Sequence, residues 1–207
     1  MQRTLAQPDL DTMSFIGQKR TLPSPSESMS PTEFIDAYLP LAQRLRDVTV
    51  PGRESVPRPL PGATEQQLAA VESHLGVKLD SQHRTFLNYA NGWPEFSGTF
   101  SLFGTADLLD SALMSGATTQ LRIISNTAMG RFRSKRKQLL PIAVSDGSLG
   151  VWCMPIEKGQ VQPAVIWFNN TEPDEHPTFN AFLDNTLATL PERIIYFTDR
   201  ERRPLVS

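Results

Sequence analysis

The order of the hydrophobic patterns along the chain is the feature that most constrains its fold. Between residues 31 and 90, apolar side chains recur every three or four positions, which is the spacing of amphipathic helices. After Trp93, short apolar runs alternate with turn residues, which is typical of strands. Because helices and strands are segregated, the pattern predicts a single α+β domain, with N-terminal helices followed by a largely antiparallel or mixed sheet flanked by helices.

Strong local signals mark two consecutive helices in the first half of the chain. Thr64 and Gln67 form a capping box, and Gly76 supplies the left-handed residue that ends the first helix. The second helix is expected to begin at Asp80 or the next residue and to end at residues 91–92. These signals predict a compact helical hairpin.

The remaining elements are predicted from hydrophobic spacing. A helical pattern starts from Pro31, with Thr32 as the expected N-cap, and another helix covers residues 106–114. The last helix begins at Thr178 and is expected to stop at Pro191, because proline disrupts a helix interior. Strands are predicted at residues 99–103, 121–125, 139–144, 149–154, 164–168 and 194–197.

Length and composition predict one domain with polar ends. A chain of 207 residues is long enough to bury one substantial core. Residues 1–30 combine proline, serine and charge with few apolar side chains, so we expect a flexible leader. The domain is then expected at residues 31–198, followed by a polar tail at 199–207.

Cysteine content and hydropathy indicate the compartment. Cys153 is the only cysteine, which excludes an intramolecular disulfide and a thiolate zinc cage and fits a reducing environment. The N-terminal sequence lacks the apolar stretch of a secretory signal, and no run of apolar residues is long enough to span a membrane. We therefore expect a cytoplasmic protein that does not bind membranes.

The sequence contains none of the common catalytic or phosphate-binding motifs. The three histidines are widely separated, so they predict surface or capping residues rather than a metal site, and Cys153 lies in an apolar strand where a buried, inert thiol is expected. These observations predict a protein without cofactor, metal or enzymatic activity.

Charged residues of opposite sign occupy separate segments in the second half of the chain. Residues 122–138 carry cations without acids, and the run 131–137 reads RFRSKRK. This run suits phosphate binding, but it is a small footprint on a chain of net charge −2, so we expect a solvated loop and no nucleic-acid partner. Residues 141–190 carry the opposite charge, because Lys158 is the only lysine or arginine among six acidic residues. These are Asp146, Glu157, Glu172, Asp174, Glu175 and Asp184.

Three segments together carry a resemblance to a known family. The segment LPGATEQQLAAVESHLGVKLDSQHRTFLNYANGW resembles the opening signature of the SUKH superfamily, which includes yeast cell-wall assembly regulators and many bacterial immunity proteins. LLPIAVSDGSLGVWCMP and VIWFNNTEPDEHPTFNAFLDNTL resemble its later strands, acidic loop and terminal helix. The similarity spans residues 31–190 and departs at Asp80, where the family usually has proline.

The resemblance implies a binding scaffold rather than an enzyme. The leading interpretation of this resemblance is that the chain is an immunity protein that neutralises a cognate toxin by direct binding. The alternative is that the chain is an intracellular scaffold or regulator. Toxins that act on nucleic acids or nucleotides carry basic clefts, which an acidic surface attracts. We therefore expect the partner-binding surface to comprise Asp146, Trp152, Glu157, Glu172, Asp174 and Glu175, with Trp152 contributing if its ring is exposed.

Overall fold

The computed structural model describes residues 29–52, 54–124, 138–169, 171 and 173–201. These residues form six helices, namely α1 (Pro31–Thr49), α2 (Glu65–Leu75), α3 (Ser81–Tyr89), α4 (Thr105–Leu109), α5 (Ala112–Ile123) and α6 (Phe179–Glu201). They also form seven strands, namely β1 (Trp93–Ser97), β2 (Phe100–Leu102), β3 (Leu139–Ser145), β4 (Val151–Glu157), β5 (Gln160–Val161), β6 (Val165–Phe168) and β7 (Asp174–His176).

The strands form one sheet in the order β1-β2-β3-β4-β6-β7, and β5 pairs with the end of β4. Every pairing between these strands is antiparallel. Helix α5 packs on β3 and β4, while α6 packs on α1 and β7. The predicted α+β domain with a largely antiparallel sheet flanked by helices is therefore confirmed.

An aromatic cluster joins the N-terminal helices to the sheet and to α6. The Tyr38 ring of α1 stacks on Phe96 of β1 with centroids 5.0 Å apart, and Phe96 contacts Phe182 of α6 at 6.1 Å. Phe86 of α3 contacts Phe179 at 5.4 Å. Because all these rings are buried, truncating any one to alanine would cost about 3–5 kcal/mol.

The predicted start and end of the first hairpin helix and the predicted start of the second are confirmed, whereas α3 ends at Tyr89 rather than at the expected residues 91–92. Thr64 and Gln67 form the capping box of α2, and Gly76 ends that helix in the left-handed conformation with a φ of 67°. The carboxylate of Asp80 caps α3 by accepting hydrogen bonds from the backbone N–H groups of Gln82 and His83. Asp80 thus starts the helix where the family usually has proline.

Three predictions near the other helices are wrong. The N-cap of α1 is Ser30 rather than Thr32, because Pro31 occupies the first helical position, where its missing N–H is not needed. The single helix expected at residues 106–114 is two helices, since Ser111 caps a new one by accepting from the Met114 N–H. The strand expected at 121–125 is wrong as well, because α5 continues to Ile123.

The C-terminal helix is longer than predicted. Pro191 does not stop it, and α6 continues to Glu201, so the strand expected at residues 194–197 is wrong. The buried side chains of Leu190 and Ile194 flank the proline. Their packing offsets the roughly 3 kcal/mol that an internal proline costs a helix.

No helix in the part of the chain that the structure describes combines the length and the apolar character needed to cross a bilayer. The expected leader up to residue 28 and the tail from residue 202 lie outside the described residues.

Candidate functional site

Three connections between neighbouring strands meet at one end of the sheet. The β1–β2 turn (residues 98–99) precedes Phe100, which pairs with Ser145 at the end of β3. The β3–β4 turn (146–150) follows Ser145 directly. The β6–β7 connection (169–173) follows Phe168, which pairs with Val151 at the start of β4. We call these three connections the hairpin rim; residues 170 and 172 within it lie outside the described part of the chain.

Hydroxyl groups tie two of the rim connections together. The Oγ atom of Ser145 lies 2.6 Å from Oγ1 of Thr99 and 2.8 Å from Oγ of Ser148. The backbone N–H of Asp146 donates to the Thr99 carbonyl at 3.2 Å. Since Ser145 is buried, this network is shielded from competing water and holds the turns in one arrangement.

The side chain of Gln120 fixes the β3–β4 turn to α5. Its Nε2 donates to the Ser145 carbonyl at 2.7 Å, and its Oε1 accepts from the Gly150 N–H at 2.8 Å. One amide group therefore satisfies a backbone acceptor at the start of the turn and a backbone donor at its end. The β3–β4 turn is therefore anchored to α5 as well as to its own strands.

Replacing Gln120 with alanine should destabilise the chain by about 1–3 kcal/mol, because two backbone groups lose their partners. The same change should accelerate amide hydrogen exchange at Gly150 more than at residues of β6. Exchange measured by NMR tests this expectation. Equal protection of Gly150 in both proteins would contradict the anchoring role of Gln120.

The hairpin rim is acidic. Asp146 is exposed in the β3–β4 turn, and the sequence of the three connections contains no lysine, arginine or histidine. Asp174 follows at the first position of β7, with a side chain that is 16% exposed. The described part of the rim therefore presents the Asp146 carboxylate and the Thr99 hydroxyl to a partner, and the sequence of the three connections supplies no cation to neutralise the carboxylate.

A buried histidine lies beneath Asp174. The Nε2 atom of His176 is 3.9 Å from Oδ2 of Asp174, and the imidazole packs 5.6 Å from Trp152 and 5.8 Å from Phe182. Burial lowers the pKa of His176, while the charge of Asp174 acts in the opposite direction. The predicted surface position of the histidines is wrong for His176 and for His83, which are buried, and holds for His74.

The structure separates the acidic residues proposed from the sequence. Asp146 lies in the hairpin rim, and Asp174 follows the rim directly as the first residue of β7. Glu175 is exposed beside them on β7, but successive strand residues alternate, so it projects from the opposite face to Asp174. Glu157 ends β4, a strand of 7 residues, and so lies about 20 Å from the rim at roughly 3.3 Å per residue.

Trp152 was expected to contact a partner only if its ring is exposed, and the ring is buried. It is 5% exposed, its ring stacks on Trp167 at 5.6 Å, and Phe182 of α6 covers it at 4.8 Å. The side chain is thus part of the core and is removed from the proposed surface. Glu172 and the basic run 131–137 lie outside the described residues.

The structure also bears on metal and thiol chemistry. Among the described residues, no three His, Cys, Asp or Glu side chains cluster in a way that would hold a metal ion. Cys153 is fully buried as predicted, and burial raises the pKa of its thiol. The thiol therefore stays protonated and shielded at neutral pH.

Sequence reasoning missed the hydroxyl network and Gln120. The pattern of residues 145–150 identified the turn, but Thr99 is 46 positions from Ser145 and Gln120 is 30 positions from Gly150. No local spacing relates such residues. The only available signal was the density of serine and threonine at two predicted turns.

Comparison with known proteins places this architecture in a family. The model of the SMI1 / KNR4 family (SUKH-1) matches residues 62–185, which is more than half of the 207-residue chain. The matched segment runs from the start of the helical hairpin into α6 and includes all seven strands. A comparison with curated proteins found no match. The chain belongs to the SMI1 / KNR4 family (SUKH-1).

Proposed function

We propose that this protein is a non-catalytic binding protein of the cytoplasm, and that it acts as an immunity protein that neutralises a cognate toxin by direct contact. Family membership supports a role in protein binding. The hairpin rim is the surface that we assign to the toxin.

The combination of rigidity and negative charge at the rim carries this assignment. The hydrogen bonds of Gln120 and Ser145 fix the β3–β4 turn before any partner arrives, which lowers the entropic cost of association. The exposed Asp146 then favours a partner with a basic surface. A toxin that cleaves nucleic acids or nucleotides presents such a surface at its substrate cleft.

Charge reversal at Asp146 in the rim, and at Glu175 beside the rim on β7, should weaken toxin binding. Asp146→Lys and Glu175→Lys are each expected to reduce affinity at least tenfold, equivalent to about 1.4 kcal/mol, because a basic cleft would then face a like charge. Glu157→Lys is the matched control, since it makes the same change at the far end of β4. Calorimetric titration with the toxin domain encoded beside this protein measures all three affinities.

The pattern of losses decides between surfaces. Equal losses at all three positions would indicate a general effect of net charge, and a loss confined to Glu157→Lys would move the interface to the other end of the sheet. If no neighbouring gene encodes a toxin that the protein binds, the alternative applies, namely an intracellular scaffold or regulatory protein related to the cell-wall assembly regulators.

A further inference from the structure

A nearly buried arginine lies below the β1–β2 turn of the rim. Arg193 on α6 is 9% exposed, and its Nη1 donates to Oγ of Ser97 at 3.4 Å. Its Nε is buried without a hydrogen-bond partner. A guanidinium group has five N–H donors, so a single long hydrogen bond leaves it poorly satisfied.

Arg193 also lacks a counter-ion within the described part of the chain. The side-chain ion pairs there include those of Arg46 with Glu95, Lys78 with Glu72, Arg84 with Glu65 and Glu72, and His176 with Asp174, and none of these involves Arg193. Tyr38 is an ionisable group whose charge would act on the pKa of Arg193, but burial raises the pKa of Tyr38 to about 12. The tyrosine is therefore neutral at pH 7 and supplies no negative charge.

An unpaired buried cation works against folding. Desolvating an ion costs several kcal/mol, and a buried ion normally recovers this cost from a partner of opposite charge. Features that break such a rule are expected at functional sites rather than in purely structural regions. Arg193 lies beyond residues 62–185, the segment matched by the family, so the feature belongs to this chain's own C-terminal helix.

We propose that Arg193 is a receptor for one carboxylate group, supplied by the protein that binds the hairpin rim. The identity of the partner rests on the proposed function. An aspartate, a glutamate or a C-terminal carboxylate would accept from the free Nε–H and a neighbouring N–H of the guanidinium in a side-on, bidentate pair. Ser97, which accepts from Arg193, is only partly buried and precedes the exposed Gly98, so the proposal places the carboxylate on the side of the β1–β2 turn.

The surroundings favour a carboxylate over a phosphate. The adjoining rim carries Asp146 and no cation of its own sequence, so a phosphate dianion or a polyanion would be repelled there. A single carboxylate on an otherwise basic partner meets less repulsion and requires less space. Such an arrangement gives specificity, because a basic partner without a correctly placed acid leaves Arg193 unpaired.

Acetate is a suitable probe for this site, and it requires no toxin. We expect the Nε–H resonance of Arg193 to shift saturably when sodium acetate replaces sodium chloride at constant ionic strength. The midpoint of thermal unfolding should rise with acetate in the unmodified protein and in Arg44→Met, the control at an exposed arginine of α1. The rise should disappear in Arg193→Met.

The stability of Arg193→Met provides a second test. Removing an unpaired buried charge should leave the unfolding midpoint in chloride unchanged or higher, whereas removing a structural ion would lower it. An absent acetate response, a response to inorganic phosphate but not to acetate, or an acetate response that survives in Arg193→Met would each overturn the proposal. A large loss of stability in Arg193→Met, including failure to fold, would contradict the claim that the guanidinium is unpaired.

These experiments separate the site from the proposed function. The acetate titration uses only the isolated protein, so its failure leaves the assignment of the rim standing. Conversely, if the toxin titrations contradict the assignment of the rim, an acetate site at Arg193 would still stand. Its carboxylate would then come from a different partner protein.

Discussion

Replacing Gly62 with alanine should destabilise the folded chain by about 3 kcal/mol or more. The added Cβ would lie 1.8 Å from the carbonyl oxygen of Asn88 and 2.6 Å from its carbonyl carbon. Both atoms belong to the backbone of α3, so the clash cannot be relieved by a side-chain rotation. Urea denaturation followed by tryptophan fluorescence measures the loss.

The backbone on both sides of Gly62 explains why the two segments cannot move apart. The Ala63 N–H donates to the Leu87 carbonyl at 2.8 Å, and the Leu60 N–H donates to the Gly92 carbonyl at 2.9 Å. These bonds hold the start of the family segment against the end of α3. Separating the two segments to admit a methyl group would stretch both bonds.

Gly116→Ala is the matched control for this substitution. Gly116 lies within α5, and an added Cβ there has no atom within 4 Å. Alanine is the better helix former, so this variant should be more stable by about 0.5–1 kcal/mol. If the stability of Gly62→Ala lies within about 1 kcal/mol of the unmodified chain, which is the size of a typical single-mutation effect, α3 can move to admit the methyl group and the close approach is contradicted.

Features that depend on neighbouring residues in the sequence were predictable. The capping box of Thr64 and Gln67, the left-handed Gly76 and the N-cap Asp80 each depend on contacts within a few positions. Such signals act through local backbone hydrogen bonds, so packing against distant residues seldom changes the helix ends that they specify. The order of these elements was sufficient to predict the α+β class.

Features that depend on distant packing were not predictable from local patterns. Pro191 is a local signal for the end of a helix, yet α6 continues past it because Leu190 and Ile194 are buried against the rest of the domain. In the same way, nothing in the sequence near Gly62 indicates its contact with Asn88. Each of these outcomes is decided by an element that approaches from elsewhere in the chain.

The acidic surface illustrates an intermediate case. Charge segregation along the sequence identified Asp146 in the hairpin rim and Asp174 directly after it. It also included Glu157, because proximity in sequence was used in place of proximity in space. An antiparallel hairpin places the two ends of β4 at opposite ends of the sheet, so one strand length separates residues that belong to the same charged segment.

Acidification should destabilise this protein before its carboxylates begin to titrate. His83 is fully buried, its imidazole packs 4.9 Å from the Phe179 ring of α6, and neither ring nitrogen has a hydrogen-bond partner. Burial lowers the pKa of His83 from 6.5 to about 4. Between these two values the unfolded chain binds a proton that the folded chain does not, so stability is complete above pH 6.5 and falls as the pH decreases towards 4.

The expected loss from His83 over this range is about 3 kcal/mol, at 1.36 kcal/mol for each unit of pKa. The lowered pKa of His176 adds a loss of the same sign. The slope of the unfolding free energy against pH is measured by urea denaturation at intervals from about pH 7.5 to about pH 4.5. This range spans the titration of the histidines. His83→Phe retains a buried ring without a titratable group, so its slope should be much smaller, whereas His74→Gln at an exposed site should retain the original slope. An unchanged slope in His83→Phe would mean that this imidazole is charged in the folded protein and that another group controls the acid sensitivity.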